Sequence, residues 1–246
     1  MVGKEVVKMF YEKEIYVTAE LCDQTVRLGN YQFFYLLQNA MIEGFDAIDC
    51  GNRGLGIKSN SYWAVTKSKI EIFRKPDWNQ KLRVRAESFD DGKLRVNVIT
   101  DIYSENNELL AKGIQELCIL DLNTHRVKRL KETCFEMNKT TVLEKFEKFP
   151  ELCDTVNSFE HTVRSQNIDM SRHMNNIEYI RLSMDLLSVE ELCRMEPQYM
   201  EVHYLGECRE GEKLLCQRSD TENESYITIL KDGKKAFEMK IQFKGI

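Results

Sequence analysis

The sequence predicts an α+β fold of two tandem units, each a long helix wrapped by an antiparallel sheet, set side by side as an intrachain pseudo-dimer. Three observations predict it. An apolar stripe at helical spacing occurs twice: Phe34, Leu37 and Met41, then Ile177, Ile180 and Met184, 143 residues later. Each stripe is followed by four segments of strand character. Each is also preceded by one short strand, near 8–20 and near 157–165.

The first helix stripe continues to Phe45 and Ile48. A loop from Cys50 to Ser61, rich in glycine and asparagine, is particular to this copy. Strands are expected at 61–73, 81–89, 93–103 and 109–120, with turns at Asp91-Gly92 and Asn106-Asn107. In the second copy Leu187 continues the helix stripe. Strands follow at 199–209, 213–219, 225–231 and 235–243, with a turn at Asp232-Gly233. The segment Asn79-Gln80-Lys81-Leu82 lines up with Gly211-Glu212-Lys213-Leu214 at an offset of 132. A sheet curled around one apolar helix buries that helix on most sides. By analogy this is the hotdog arrangement, and matched lengths favour one joined sheet over two tethered domains. The expected organisation is an N-terminal hotdog unit at 1–125, a linker at 126–156 and a C-terminal hotdog unit at 157–246. The linker carries a basic cluster (Arg126, Lys128, Arg129, Lys131) and a Lys/Glu-rich segment, Lys139 to Lys148, read as helical.

Composition narrows the class. The chain has 246 residues, 42% of them apolar and 30% charged, which suits a folded globular protein. With 35 basic against 40 acidic residues the formal net charge is −5, which disfavours nucleic acid as a partner. No apolar run approaches the roughly 20 residues that cross a bilayer, so no membrane partner is expected. The chain opens with neither a signal peptide nor a transit peptide pattern. Eight cysteines lack any zinc spacing, and a chain this large needs no stapling. Most of them read as small core residues of a reduced, cytoplasmic protein. No metal or cofactor is implied.

The run Asp169-Met170-Ser171-Arg172-His173-Met174-Asn175-Asn176 stands at the start of the second helix. Polar groups there sit beside unpaired backbone N–H groups and the positive end of the helix dipole, where an oxyanion can be held. An Asp or Ser at this place is by itself more often a cap. At the 143 offset these positions face Val26, Leu28, Asn30, Gln32 and Phe33, a mostly apolar set. That contrast suggests one active site, in the second half. Glu207-Cys208, expected at the end of the strand from Tyr199, is likewise particular to the second copy, facing Lys75 and Pro76.

Asp169–Asn176 followed by Ile177-Glu178-Tyr179-Ile180, with Glu207-Cys208 about 30 residues on, resembles the acyl-acyl carrier protein thioesterase family of plants and bacteria. So does Tyr62-Trp63-Ala64-Val65-Thr66 followed by Arg74-Lys75-Pro76-Asp77-Trp78. The resemblance covers nearly the whole chain. It implies hydrolysis of a fatty acyl thioester on acyl carrier protein. It puts the family's Asp, His, Glu and Cys on Asp169, His173, Glu207 and Cys208. Ser171 stands where the family has Asn, a departure that replaces an amide with a shorter hydroxyl. The implied mechanism has His173 and backbone N–H groups stabilising the oxyanion, Glu207 activating water and Asp169 anchoring the His173 side. A Cys208–His173 nucleophilic pair is the competing mechanism.

Phe34, Leu37, Met41, Trp63 and Val65 are the candidates for the acyl pocket. Acyl carrier protein is acidic, so Lys67, Lys69, Arg74, Lys75 and the 126–131 cluster are candidates for docking it. An acyl-CoA thioesterase on the same fold and a non-catalytic acyl-binding protein are the alternatives. Pairing of two such chains into a homodimer stays open.

Overall fold

The computed structural model describes residues 5–6, 9–90, 93–130, 135–136, 145–151 and 154–244. Strands β1 (Glu5–Val6) and β8 (Phe135–Glu136) form a short parallel pair. The first unit continues with β2 (Phe10–Tyr16), α1 (Asn30–Ala47), α2 (Asn52–Ser59), β3 (Ser61–Ile72), β4 (Lys81–Asp90), β5 (Arg95–Ser104), β6 (Leu109–Asp121) and β7 (Val127–Lys128). The second has β9 (Asn157–Thr162), α3 (Asn176–Met184), α4 (Val189–Arg194), β10 (Pro197–Tyr204), β11 (Lys213–Asp220), β12 (Glu224–Lys231) and β13 (Lys234–Phe243).

Ten strands follow one path, β2-β4-β5-β6-β3-β10-β13-β12-β11-β9, with β7 added on β6. The two units meet where β3 runs antiparallel to β10, in a register that sets Ser68 opposite Val202. This is the joined sheet that the two matched halves predict. Alternation along the strands turns one face toward the helices: Leu82, Val84 and Ala86 on β4, Val96, Val98 and Ile102 on β5, Met200 and Val202 on β10 are all buried. Helix α1 lies on that face and buries Phe33, Phe34, Leu37, Ala40, Met41 and Phe45. Its close approach depends on Gly113, where a Cβ would lie 2.2 Å from Leu37 Cδ2.

The structure corrects several expectations. The loop after Cys50 is mostly helix α2, which ends on Asn60 in the left-handed region (φ 50°). The second long helix is short: α3 stops at Met184, and Ser188 with Glu191 forms a capping box that starts α4 afresh. The strand from Tyr199 ends at Tyr204, because Leu205 and Gly206 both donate their N–H to Ala236 O and the chain turns away. Lys128, assigned to the linker, sits in β7 and is tied to Asp121 and to Ser59 O. Residues 145–148 are not helical. Lys131, the Asp91-Gly92 turn and the rest of the Lys/Glu-rich segment lie outside the described residues.

The segment 145–150 straps across the outer face of the joined sheet. Phe149 stacks on His203 with ring centroids 4.3 Å apart. The Glu147 N–H donates to Glu201 Oε1 at 2.8 Å, and Lys69 Nζ donates to Lys145 O at 2.8 Å. Glu201 is fully buried. Burial alone would raise its carboxyl, but hydrogen bonds from His203, Tyr199 and the Glu147 N–H outweigh that and hold it below the usual carboxylate range.

Gly113→Ala should destabilise the protein by about 1–3 kcal/mol through overpacking against Leu37. Urea unfolding measures it. Combined with Leu37→Ala, which vacates the same space, the loss should be smaller than the two single losses added.

Candidate active site

The site is built where the chain enters α3. Backbone pairing of Ile168 with Met174 closes a hairpin-like turn over Asp169–His173. Asp169 N–H donates to His173 O, and Arg172 N–H donates to Asp169 O, each at 3.0 Å. The turn places Arg172 at φ 62°. The Asp169 carboxylate takes the Ser171 N–H at 2.8 Å, so it shapes the turn. Asn175 caps α3, its Oδ1 accepting the Ile177 N–H at 2.9 Å. Asn167, buried beneath, accepts from Arg164 N–H and donates to Glu178, which locks the approach to α3 from below.

The loop after β10 is stitched to this turn. Met174 N–H donates to Cys208 O at 2.8 Å. The Tyr179 hydroxyl donates to Gly206 O at 3.2 Å and accepts the Cys208 N–H at 2.9 Å. Lys231 Nζ donates to Glu207 O at 2.6 Å. Held this way, the Glu207 carboxylate lies 3.1 Å from His173 Nε2. His173 is one-fifth exposed and Glu207 about half exposed, so the pair is open to water on one side.

Of the predicted site residues, the structure brings His173 and Glu207 into direct contact. Asp169 reaches them through the turn, with its carboxylate on the Ser171 amide. Ser171 is exposed. Cys208 is fully buried, and burial pushes its thiol up despite the neighbouring Tyr179 and Lys231. Tyr62, quoted in the resemblance but given no role, comes from the first unit. Burial raises its hydroxyl, and the Glu207 charge raises it further, so the two lie within electrostatic reach. Its hydroxyl is 3.0 Å from His125 Nδ1. The signal for Tyr62 is the β3–β10 register, which carries the loop after β10 back toward the start of β3.

The two halves align differently from what the apolar stripes predict. The bridge Cys22–Leu28 matches Ile168–Met174, so the true offset at the helix starts is 146 and not 143. At 146, Asp23, Thr25, Arg27 and Gly29 face Asp169, Ser171, His173 and Asn175. Thr25 N–H bonds to Asp23 Oδ1 at 2.9 Å, as Ser171 bonds to Asp169, and Val26 has φ 58° where Arg172 has 62°. The first copy's approach is therefore polar too, though Gly29 stands where Asn175 caps α3. The contrast that bears on chemistry is the charge. Where the second copy has His173 and Glu207, the first has Arg27 and Lys75. Lys75 is buried against Asp23 at 2.5 Å, and Arg27 pairs with Glu196 at 2.6 Å.

The acyl-pocket candidates Phe34, Leu37, Met41 and Trp63 are buried in the N-terminal unit, and Val65 packs at its margin. Trp63 stacks on Phe45 at 4.7 Å and donates its indole N–H to Cys50 O at 2.8 Å. Among the docking candidates Lys75 is removed, being buried in its ion pair. Lys67 and Lys69 lie over the Phe146 ring, and Arg74 pairs with Glu108. Arg126 and Arg129 are exposed. No helix among the described residues is long and apolar enough to cross a membrane.

Comparison with known proteins fits this architecture. Residues 36–137 match the Acyl-ACP thioesterase N-terminal domain, and residues 151–245 match the Acyl-ACP thioesterase C-terminal domain. An acyl-[acyl-carrier-protein] hydrolase from Cuphea viscosissima is 26% identical over 164 residues, 62% of this chain and 39% of its own length. A palmitoyl-acyl carrier protein thioesterase from Gossypium hirsutum is 25% identical over 189 residues, 70% of this chain and 45% of its own length. The chain thus matches less than half the length of these relatives. In fold it is similar to an acyl-ACP thioesterase from Bacteroides thetaiotaomicron (TM-score 0.83, 18% identity, 96% of this chain and 98% of that one). It is similar too to the 12:0-ACP thioesterase from Umbellularia californica (TM-score 0.85, 13% identity, 96% and 97%). With both of the family's domains matched in order on a tandem hotdog sheet, the chain belongs to the acyl-ACP thioesterase family.

Proposed function

We propose that the chain hydrolyses the thioester of a fatty acyl group carried on acyl carrier protein, releasing the free fatty acid. The observation that carries this reading is the His173–Glu207 pair at 3.1 Å beside the start of α3. The thioester carbonyl lies at that helix start, where backbone N–H groups and His173 meet the developing oxyanion. Glu207 takes a proton from the attacking water. Asp169 holds the turn that presents His173, and the exposed Ser171 hydroxyl is assigned to the water. The N-terminal unit (1–125) takes the acyl chain on Phe34, Leu37, Met41, Trp63 and Val65. The C-terminal unit (157–246) carries the chemistry. Cys22, Cys118, Cys193, Cys208 and Cys216 are free thiols, in keeping with a reducing compartment, and we assign the protein to the cytoplasm.

Water, not Cys208, is the nucleophile in this reading. A buried thiol with a raised pKa is a poor source of thiolate. His173→Ala and Glu207→Gln should each lower kcat/KM by about a hundredfold or more in a thiol-release assay, with circular dichroism unchanged. Cys208→Ala should keep most activity; a dead Cys208→Ala beside an active Glu207→Gln would reverse the assignment. Iodoacetamide should label the exposed Cys193 in the folded protein and reach Cys208 only after denaturation, as read by peptide mass mapping. Charge reversal at Arg126 and Arg129 should raise KM for the protein-borne substrate more than for a small acyl thioester, and added salt should shrink the difference.

A further inference from the structure

The interior of the N-terminal unit holds a polar patch that the packing of an aliphatic chain does not call for. Ser88 of β4, Thr100 of β5 and Gln115 of β6 are 0%, 0% and 3% exposed. They lie on the helix-facing side of the sheet, in line with Ala86, Val98 and Leu117. Register groups them: Val98 pairs with both Ser88 and Gln115, and Thr100 is the next residue along β5 on that face, opposite Gly113. Ser88 Oγ, Thr100 Oγ1 and Gln115 Oε1 have no hydrogen-bond partner among the described residues. Buried polar atoms are nearly always partnered, and an apolar residue of similar shape would fill each position without that cost.

The patch lies under the middle of α1. Leu37 packs on Gly113, and farther along Phe45 stacks on Trp63, which pairs with Ile119. Gln115 falls between these two levels of β6. Between Leu37 and Phe45 the helix presents Ala40, which is small, and Met41, whose unbranched side chain adapts readily to a guest. Gln115 also pairs with Ser68, and Ser68 with Val202. Gln115 thus lies two strands across from Val202, about 10 Å, and Ser88 two strands farther on, while Glu207 lies beyond the end of β10 on the other side. The patch is therefore far from the thioester carbonyl but within the space assigned to the acyl chain.

The donor and acceptor pattern selects the ligand group. Gln115 Oε1 only accepts, whereas the two hydroxyls donate and accept. A hydroxyl matches this set, donating to Gln115 and accepting from Thr100 or Ser88. A keto oxygen would leave Gln115 unserved. We propose that the acyl pocket takes a fatty acyl chain bearing a hydroxyl in its distal half, with Gln115, Thr100 and Ser88 as the groups that bind it. This rests on the acyl-carrier-protein thioesterase reading above.

The test compares three acyl carrier protein substrates of equal chain length: palmitoyl, palmitoyl hydroxylated beside the thioester, and palmitoyl hydroxylated in its distal half. The distal hydroxyl should raise kcat/KM about ten- to a hundredfold over plain palmitoyl. Thr100→Val with Gln115→Leu should reverse that order, so that plain palmitoyl becomes a better substrate than its distally hydroxylated form. A wild-type enzyme that prefers plain palmitoyl, or treats all three alike, overturns the proposal and leaves buried water as the partner of these atoms. Release from none of the three overturns the hydrolase reading instead. Thermal shifts with the free acids then decide the pocket alone: a larger shift with the distally hydroxylated acid upholds it, and an equal or smaller shift overturns it.

Discussion

The antiparallel ladder between β3 and β10 is the constraint on which the other features depend. It fixes the two units edge to edge and fills what would otherwise be two open sheet edges. It also sets where each unit's loops emerge. Because β10 runs beside β3, the loop after β10 returns toward the start of β3, bringing Glu207 near Tyr62. The same ladder lays Glu201 and His203 on the outer face, where the strap of 145–150 covers them. Candidate site and strap are both placed by one register.

The site itself is held by backbone pairing more than by side chains. Met174 donates to Cys208 O, Asn175 donates to Asn167 O, and the Asp169–His173 turn closes on itself. This explains how a half-exposed Glu207 keeps its position against His173. The main chain on both sides is pinned, so little of the pair's geometry rests on the exposed ion pair, which alone is worth little. Buried Tyr179 serves the same end by bonding to Gly206 O and to the Cys208 N–H.

Much of this was legible in the chain. Period-two alternation along 81–89 and 95–104, and the Phe34–Leu37–Met41 stripe, report a helix against a sheet because each side chain's face is set locally. The pairing of strands at an offset of 132 was visible in Lys81-Leu82 and Lys213-Leu214. The helix starts were misaligned by three residues because Phe34 and Ile177 are both apolar, so hydrophobic spacing alone could not fix the phase. The turn at Asp23–Thr25, repeated at Asp169–Ser171, was the better marker. The early end of β10 was hidden too. It comes from Leu205 and Gly206 sharing one carbonyl of β13, a tertiary contact with no local signature. Nor does the sequence disclose that Lys75 is buried, since its partner Asp23 lies 52 residues away.

That buried lysine bears on how such a chain differs from a pair of identical units. In a symmetric dimer every residue is duplicated by the operator, so a carboxylate at one helix start is a carboxylate at both. Joining the copies in one chain removes that obligation. Position 75 is cationic where position 207 is anionic, and the counterpart of His173 is an arginine bound to Glu196. With both copies on one chain, the two helix entries are independent positions, one holding a His–Glu pair open to water and the other a buried Lys–Asp pair.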